Sequence, residues 1–183
     1  MHLTFGILFV CYANLCRSPM AERLARRAFD EAFGPADITV ASAGMRAFDG
    51  EPMHENSARV LAECGVTSDR FVSRTVKAST LRDADLVLTA DRDQRAACLA
   101  LEPSAVRRAF TLRQFARFAE RASQDGAEGE GMHRLLSAVN ATRHTAPPGE
   151  DDLADPVGQP IEAFRTCAAD IWSALRTIVA ATR

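Results

Sequence analysis

The stretch Cys11-Tyr-Ala-Asn-Leu-Cys-Arg-Ser-Pro19, directly after the apolar run Ile7-Leu-Phe-Val10, decides how this chain is interpreted. A cysteine stands where the apolar run ends, and an arginine follows six positions later. Ser18 and Pro19 then suit the start of a helix, with Ser18 as its N-cap. A strand, loop and helix in this order gather backbone N–H groups, a guanidinium and a helix N-terminus around one thiol. The segment therefore predicts a phosphate site in which a thiolate attacks a phosphoryl group.

The residue types of this loop fit that chemistry. Arg17 can bind two phosphoryl oxygens at once, and its charge is permanent. The field that binds phosphate also stabilises a thiolate, so we expect Cys11 to be ionised near neutral pH, with the Ser18 hydroxyl donating to its sulfur. Asn14 tolerates left-handed backbone and can fix the loop through its amide. The residues that we expect to surround the phosphate are Tyr12, Ala13, Asn14, Leu15, Cys16, Arg17 and Ser18.

Composition limits the remaining possibilities. The 183 residues suit one domain with its own core, and a net charge of −2 does not favour nucleic acid as a partner. The five cysteines are odd in number, no signal peptide is recognisable at residues 1–6, and the apolar run at 5–11 is too short to span a bilayer. We therefore expect reduced thiols in a cytoplasmic protein without a membrane partner. Because no C-x-x-C pair and no H-E-x-x-H occurs, a structural zinc site is not expected. We expect no cofactor.

Short apolar runs alternate with helical patterns along the chain. Strands are predicted over 4–10, 38–42, 85–89 and 109–112, and the intervening helices begin at 19, 55, 91 and 112. The second helix is predicted to end at 64, the third at 101 and the fourth at 118. The first is stopped by Gly34-Pro35. A polar, glycine-rich loop over 123–131, a short helix over 132–142, and a long final helix over 161–181 complete the pattern. This alternation is typical of an α/β fold with a parallel sheet, whose ligands bind at the carboxyl ends of the strands.

The loop resembles the C-x-G-N-x-C-R-S-P motif of low-molecular-weight protein tyrosine phosphatases. The likeness continues in order through Ser42-Ala-Gly44, Arg74, Ala84-Asp85, Asp91 and Asp155-Pro156. It implies a three-layer α/β sandwich with a four-stranded parallel sheet in the order 2-1-3-4 and helices on both faces. Residues 1–183 would form one such domain, with an insertion at about 120–150.

The resemblance also implies roles for individual residues. Cys11 would be the nucleophile that becomes a cysteinyl-phosphate, and Arg17 would bind the phosphate and its transition state. Asp155 would protonate the leaving phenolate and then activate water. Asn14 and Ser42 would organise the loop, and Cys16 would form a reversible disulfide with Cys11. The substrate would be a phosphotyrosine protein or peptide, and the enzyme a cytoplasmic monomer that needs no metal.

Several positions depart from the family pattern. Ala13 replaces a glycine of the motif, and Phe71 stands where a histidine often supports the loop. Val157-Gly158 follow the Asp-Pro pair, where family members often carry tyrosines that grip the substrate ring. Tyr12 and Phe48 are candidates for a substitute aromatic wall.

Other functions stay open from the sequence. An arsenate reductase of the same fold needs two further cysteines close together, and Cys64 and Cys98 are far apart. A phosphoarginine phosphatase carries a threonine at the position of Leu15. A non-catalytic phosphate- or phosphoprotein-binding module would be favoured by loss of the Cys11, Arg17 or Asp155 side chain, all of which are present. Asp151 and Asp152 compete with Asp155 for the role of the acid.

Overall fold

The computed structural model describes residues 4–34, 37–125 and 131–182. Four parallel strands form one sheet in the order β2-β1-β3-β4, as the resemblance implied. The strands are β1 Phe5–Cys11, β2 Ile38–Gly44, β3 Leu86–Thr89 and β4 Ala109–Thr111. Their bounds agree with the predicted ones to within two residues at every end.

The helices lie between the strands and after the last one. They are α1 Arg17–Phe33, α2 Glu55–Glu63, α3 Ala78–Asp83, α4 Arg92–Leu101, α5 Leu112–Gln124, α6 Met132–Thr142 and α7 Ile161–Ala181, with a 3-10 helix over Pro103–Arg107. In the part of the chain that the structure describes, no helix is both long and apolar enough to cross a membrane.

Alternate residues of β1 point into two separate cores. Phe5, Ile7 and Phe9 pack on one face of the sheet with apolar residues of α1, α2, α5 and α7. Leu8 and Val10 pack on the other face with residues of α3 and α4. Because both faces are covered by helices, the strand reads as a continuous apolar run rather than an alternating one. The predicted three-layer architecture is thus confirmed.

The first helix begins two residues earlier than predicted. Its N-cap is Cys16 rather than Ser18, and Pro19 occupies the third helical position. The Ser18 hydroxyl does not cap the helix because it bonds to Cys11 and Asn14 instead. Pro35, which the sequence pattern placed in the stop of this helix, lies outside the described residues.

Two further differences concern α5 and the short helices. α5 ends at Gln124 rather than at residue 118, because buried Ala119 and Ala122 continue its apolar stripe. The predicted 123–131 loop therefore begins inside α5, and its residues 126–130 are not among those described. α3 and the 3-10 helix were not predicted, since each buries one apolar residue only, Leu81 or Ala105.

Candidate active site

Cys11 lies at the carboxyl end of β1, where an α/β sheet is expected to bind its ligand. The loop that follows it is held from the exit of β2. Met45 N–H donates to the Cys11 carbonyl at 3.0 Å, and Arg46 N–H donates to the Tyr12 carbonyl at 2.8 Å. The cysteine loop is therefore fixed on one side by main-chain hydrogen bonds.

Gly44 is required by the close approach of this loop. A Cβ on Gly44 would lie 2.7 Å from the Asn14 nitrogen and 2.8 Å from the Ala13 carbonyl carbon. No real Cβ contacts backbone atoms at such distances, so any other residue would push the loop away from β2. The glycine of the Ser42-Ala-Gly44 motif thus has a packing reason.

Asn14 connects three segments. Its φ of +57° is the left-handed conformation that the sequence predicted for an asparagine. Its amide oxygen accepts the Arg74 N–H at 2.9 Å, and this contact fixes which way the amide faces. The amide nitrogen then donates to both Ser18 Oγ and Ser42 Oγ, each at 2.9 Å. Ala13, by contrast, has no positive φ, so the alanine needs no special backbone there.

The two hydroxyls that accept from Asn14 must donate elsewhere. Ser42 donates to the Glu22 carboxylate at 2.7 Å. Ser18 Oγ donates to the Ala43 carbonyl at 3.3 Å and lies 3.0 Å from Cys11 Sγ, a contact in which either atom can be the donor. A hydroxyl at this distance can donate to the sulfur whenever Cys11 is a thiolate.

Glu22 is a site residue that the sequence interpretation missed. It is 3% exposed, lies on the same side of α1 as Ser18 four residues earlier, and has Arg26 Nη2 at 3.4 Å. In the sequence, Glu22 stands among apolar positions of the first helix. A carboxylate at such a position would be buried and would need polar partners, and this signal could have identified it.

Arg17 is buried and held by three acceptors. Its Nη2 lies 2.7 Å from Asp155 Oδ2, and its Nη1 lies 3.0 Å from Asp91 Oδ2 and 3.2 Å from the Leu153 carbonyl. The other oxygen of Asp91 caps α4 by accepting the Gln94 N–H at 2.9 Å. Asp91, which the sequence offered only as a point of likeness, therefore positions the guanidinium.

The three aspartates before the last helix have different environments. Asp151 is buried and pairs with Arg117 at 2.6 Å. Asp152 pairs with Arg92 at 3.0 Å, and the hydrogen bonds from Arg92 hold the pKa of Asp152 below its ordinary value. Asp155 contacts Arg17 while leaving 47% of its side chain exposed.

Hydrogen bonds to the sheet place this acidic segment at the site. Leu153 N–H donates to the Ala90 carbonyl just beyond β3 at 2.8 Å, and Thr111 at the end of β4 donates to the Asp151 carbonyl at 2.6 Å. A segment about 140 residues from Cys11 in sequence is thereby fixed at the carboxyl ends of the strands.

The remaining thiols are in different surroundings. Burial raises the pKa of Cys16 to about 12. Burial likewise raises the pKa of Cys98 and of Cys167 to about 12. Cys64 is exposed at the C-cap of α2, on the opposite side of the sheet from Cys98. Cys64 and Cys98 thus do not form the close pair that an arsenate reductase would need.

The positions that depart from the family pattern, and the two candidates for an aromatic wall, differ in burial. Tyr12, Phe48 and Val157 are 56%, 81% and 55% exposed. Phe71 is buried in the main core, with the Arg23 guanidinium 5.9 Å from its ring centre. The loop-supporting role of a polar side chain is taken instead by Glu22 and the backbone of Arg74.

The sequence also matches known proteins. Residues 6–129 match the family model described as low molecular weight phosphotyrosine protein phosphatase. The chain is 32% identical over 112 residues to the probable low molecular weight protein-tyrosine-phosphatase EpsP of Ralstonia solanacearum, covering 61% of this chain and 73% of that protein. It is 37% identical over 97 residues to the phosphatase Wzb of Salmonella typhi, covering 53% and 61%.

Solved structures agree with the fold. The tyrosine phosphatase AmsI of Erwinia amylovora superimposes with a TM-score of 0.73 at 23% identity, over 98% of this chain and 94% of that one. The YwlE arginine phosphatase of Geobacillus stearothermophilus superimposes with a TM-score of 0.71 at 27% identity, over 96% and 91%. The family model covers more than half of the sequence, and the fold agrees over nearly all of it. The chain therefore belongs to the low molecular weight phosphotyrosine protein phosphatase family.

Proposed function

We propose that this chain hydrolyses protein phosphotyrosine through a cysteinyl-phosphate intermediate. One set of contacts is the main support for this proposal. Cys11 Sγ lies beside a hydroxyl donor in a loop whose arginine is bonded to Asp155. A nucleophile, a phosphate-binding cation and a candidate proton donor are brought together from opposite ends of the chain.

In the first step the Cys11 thiolate attacks the phosphorus atom, and the bond between phosphorus and the phenolic oxygen breaks. The Arg17 guanidinium and the loop N–H groups, which we propose as the phosphate site over residues 12–18, stabilise the equatorial oxygens of the transition state. Asp155 gives its proton to the leaving phenolate. The products of this step are the free tyrosine and phosphocysteine.

In the second step the now ionised Asp155 takes a proton from a water molecule, which attacks the phosphocysteine. Inorganic phosphate forms, and Cys11 leaves as a thiolate. The Ser18 hydroxyl, 3.0 Å from the sulfur, stabilises that leaving group. Asn14 and Ser42 hold Ser18 in the orientation this step needs.

We further propose that Cys16 protects the nucleophile by forming a reversible disulfide with oxidised Cys11. Residues 1–183 would act as one domain and a cytoplasmic monomer, with the 120–150 segment as an insertion. The coverage of 94% of the AmsI structure supports the single domain.

Chemical modification of the nucleophile tests the proposal. Iodoacetate at pH 6 should modify Cys11 first, and saturating vanadate should protect it. Cys11→Ser should abolish hydrolysis of p-nitrophenyl phosphate while still binding phosphate, because serine keeps the loop but is a far weaker nucleophile. A serine variant with a rate near that of the wild type would overturn the assignment.

A substrate panel tests the specificity. Matched peptides carrying phosphotyrosine, phosphoserine or phosphoarginine, together with arsenate plus thioredoxin, separate the functions found on this fold. We expect phosphotyrosine to give the highest kcat/KM. A higher value for phosphoarginine would assign the chain to the activity named for the YwlE relative.

A further inference from the structure

Two arginines border the cysteine loop through their backbones. Arg46 N–H donates to the Tyr12 carbonyl at 2.8 Å. Arg74 N–H donates to the Asn14 side chain at 2.9 Å, and the Arg74 carbonyl accepts the Gly44 N–H at 2.9 Å. These contacts fix the Cα atoms of both arginines at the edge of the proposed phosphate site.

The segments that carry these arginines also bond to each other. Gly50 N–H donates to the Ser73 carbonyl at 2.9 Å, and Ser73 N–H donates to the Glu51 carbonyl at 2.8 Å. These two segments, residues 44–51 and 73–75, which we call the rim, are therefore joined to each other and do not form two independent loops. The position of the rim relative to Cys11 is set by main-chain hydrogen bonds.

The side chains of both arginines are free to meet a ligand. Arg46 and Arg74 are exposed, and among the residues that the structure describes neither guanidinium has a hydrogen-bond or ion-pair partner. Other arginines near the site are engaged: Arg17 with Asp155, and Arg92 with Asp152. Of the two carboxylates on the Arg46 segment, Asp49 accepts from Thr75 N–H at 2.6 Å and from Thr75 Oγ1 at 2.8 Å, both at Oδ1. Glu51 is exposed, and among the described residues it forms no ion pair with Arg46 or Arg74.

Two aromatic rings are exposed here, Phe48 of the rim at 81% and Tyr12 of the adjoining cysteine loop at 56% exposure. Exposed rings beside unpaired guanidinium groups suit a ligand that is aromatic at one point and anionic around it. The chain has a net charge of −2, and on these segments Arg46, Arg74 and the adjoining Lys77 stand against Asp49 and Glu51, so the positive excess is small and local.

We propose that Arg46 and Arg74 select phosphotyrosine substrates that carry acidic side chains next to the phosphorylated residue. The inference rests on the proposed phosphatase function and adds to it a substrate class. The phosphate enters the cysteine loop, and flanking aspartate or glutamate carboxylates meet the two guanidinium groups. An exposed charge pair contributes modestly, so we expect each arginine to account for roughly a 2- to 5-fold preference.

The experiment compares two phosphotyrosine peptides that differ only in their flanks, with aspartate or glutamate in one and glutamine or alanine in the other. The readout is the ratio of their kcat/KM values, which cancels any change in the chemistry of the loop itself. The wild type should favour the acidic peptide by roughly 4- to 25-fold, mostly through KM. The ratio should fall when salt is raised from 20 to 500 mM, because salt screens exposed charges.

Charge reversal gives the decisive variant. Arg46→Glu combined with Arg74→Glu should invert the ratio, and the milder Arg46→Gln with Arg74→Gln should bring it close to one. Arg107→Glu is the matched control, because Arg107 is an exposed arginine at the opposite end of the sheet, just before β4, and should keep the wild-type ratio.

The possible failures are distinguishable. If p-nitrophenyl phosphate and both peptides are hydrolysed and the wild-type ratio is near one, or if the double charge reversal keeps the preference, the rim assignment is wrong and the phosphatase proposal stands. If none of the three compounds is hydrolysed, both proposals fall.

Discussion

Asp155 accepts a hydrogen bond from the Arg17 guanidinium at 2.7 Å. The contact occupies an arginine nitrogen that a phosphate oxygen would use, so a phosphate ligand must compete with the Asp155 carboxylate for it. The proposed acid and the proposed phosphate ligand are therefore coupled through one side chain.

Asp155→Asn should lower kcat for a phosphotyrosine peptide by ~10²–10⁴, the usual cost of losing a general acid. It should also tighten binding of inorganic phosphate, because the competing negative charge is gone. Steady-state kinetics and phosphate inhibition constants measure the two effects. Asp152→Asn is the control, since Asp152 pairs with Arg92 instead. A larger loss of kcat in the control would identify Asp152 as the acid.

Asp91 should act by positioning Arg17. Asp91→Asn keeps an N-cap for α4, since asparagine caps helices as well as aspartate, but it removes the charge that faces the guanidinium. We expect kcat/KM to fall at least about 10-fold, because an ion pair to a buried arginine is lost. The loss of stability should be limited, because the Arg17 guanidinium keeps its contacts with Asp155 and the Leu153 carbonyl. Asp91→Ala should lose the cap as well, which should lower the free energy of unfolding by about 1 kcal/mol. Equal activity of the asparagine variant and the wild type would rule out the positioning role.

Gly44→Ala should disrupt the cysteine loop. Its Cβ would meet backbone atoms of Ala13 and Asn14 at 2.8 Å or less, and backbone cannot move aside without shifting the loop. Hydrolysis of p-nitrophenyl phosphate should fall by more than about 10², since a shift of about 1 Å has that effect on catalysis. Gly6→Ala on β1 is the control, because its Cβ would make only ordinary contacts at 3.6 Å or more. Retained activity in Gly44→Ala would show that the loop tolerates displacement.

Ser42 and Glu22 should be coupled in stability. Ser42→Ala removes the hydroxyl that donates to the buried Glu22 carboxylate at 2.7 Å, and the unsatisfied group should cost about 1–3 kcal/mol. Urea unfolding of the two single variants and of Ser42→Ala with Glu22→Gln gives a double-mutant cycle. We expect the cost of Ser42→Ala to be smaller in the Glu22→Gln background. Additive costs would mean that the two residues act independently.

The buried thiols should make the fold less stable at alkaline pH. Burial raises the pKa of Cys16, Cys98 and Cys167 from 9.0 to about 12. Above pH 9 the unfolded chain loses these protons and the folded chain keeps them, so stability is full below pH 9 and falls as pH rises. Each thiol contributes a slope of up to about 1.4 kcal/mol per pH unit.

Urea unfolding between pH 8 and 10.5 measures this slope. Cys98→Ala should make the slope shallower, and Cys64→Ser should leave it unchanged because Cys64 is exposed. If the Cys98→Ala variant keeps the wild-type slope, the buried thiols do not cause the loss of stability.

Some site residues were recognisable from the sequence because their signal is local. Cys11 and Arg17 lie in one short loop after a buried strand, and that context alone predicted an anion site with a thiol in it. The parallel sheet was predicted for a similar reason, since apolar runs and helical stripes are read within windows of ten to twenty residues. The end of α5 was misjudged because small alanines extended the stripe more weakly than large residues do.

Other residues acquired a role only through long-range contacts. The resemblance favoured Asp155 over Asp151 and Asp152 through the Asp155-Pro156 pair, and the anchoring of their segment to the ends of β3 and β4 is what brings Asp155 to Arg17. The roles of Glu22, Arg46 and Arg74 could be inferred only from the structure, which shows the partners of Glu22 and the absence of partners for the two guanidinium groups among the described residues. Sequence determined the chemistry of the loop, because that chemistry depends on neighbours along the chain. Tertiary structure decided which charges are paired, since pairing depends on distances between segments that the chain order leaves open.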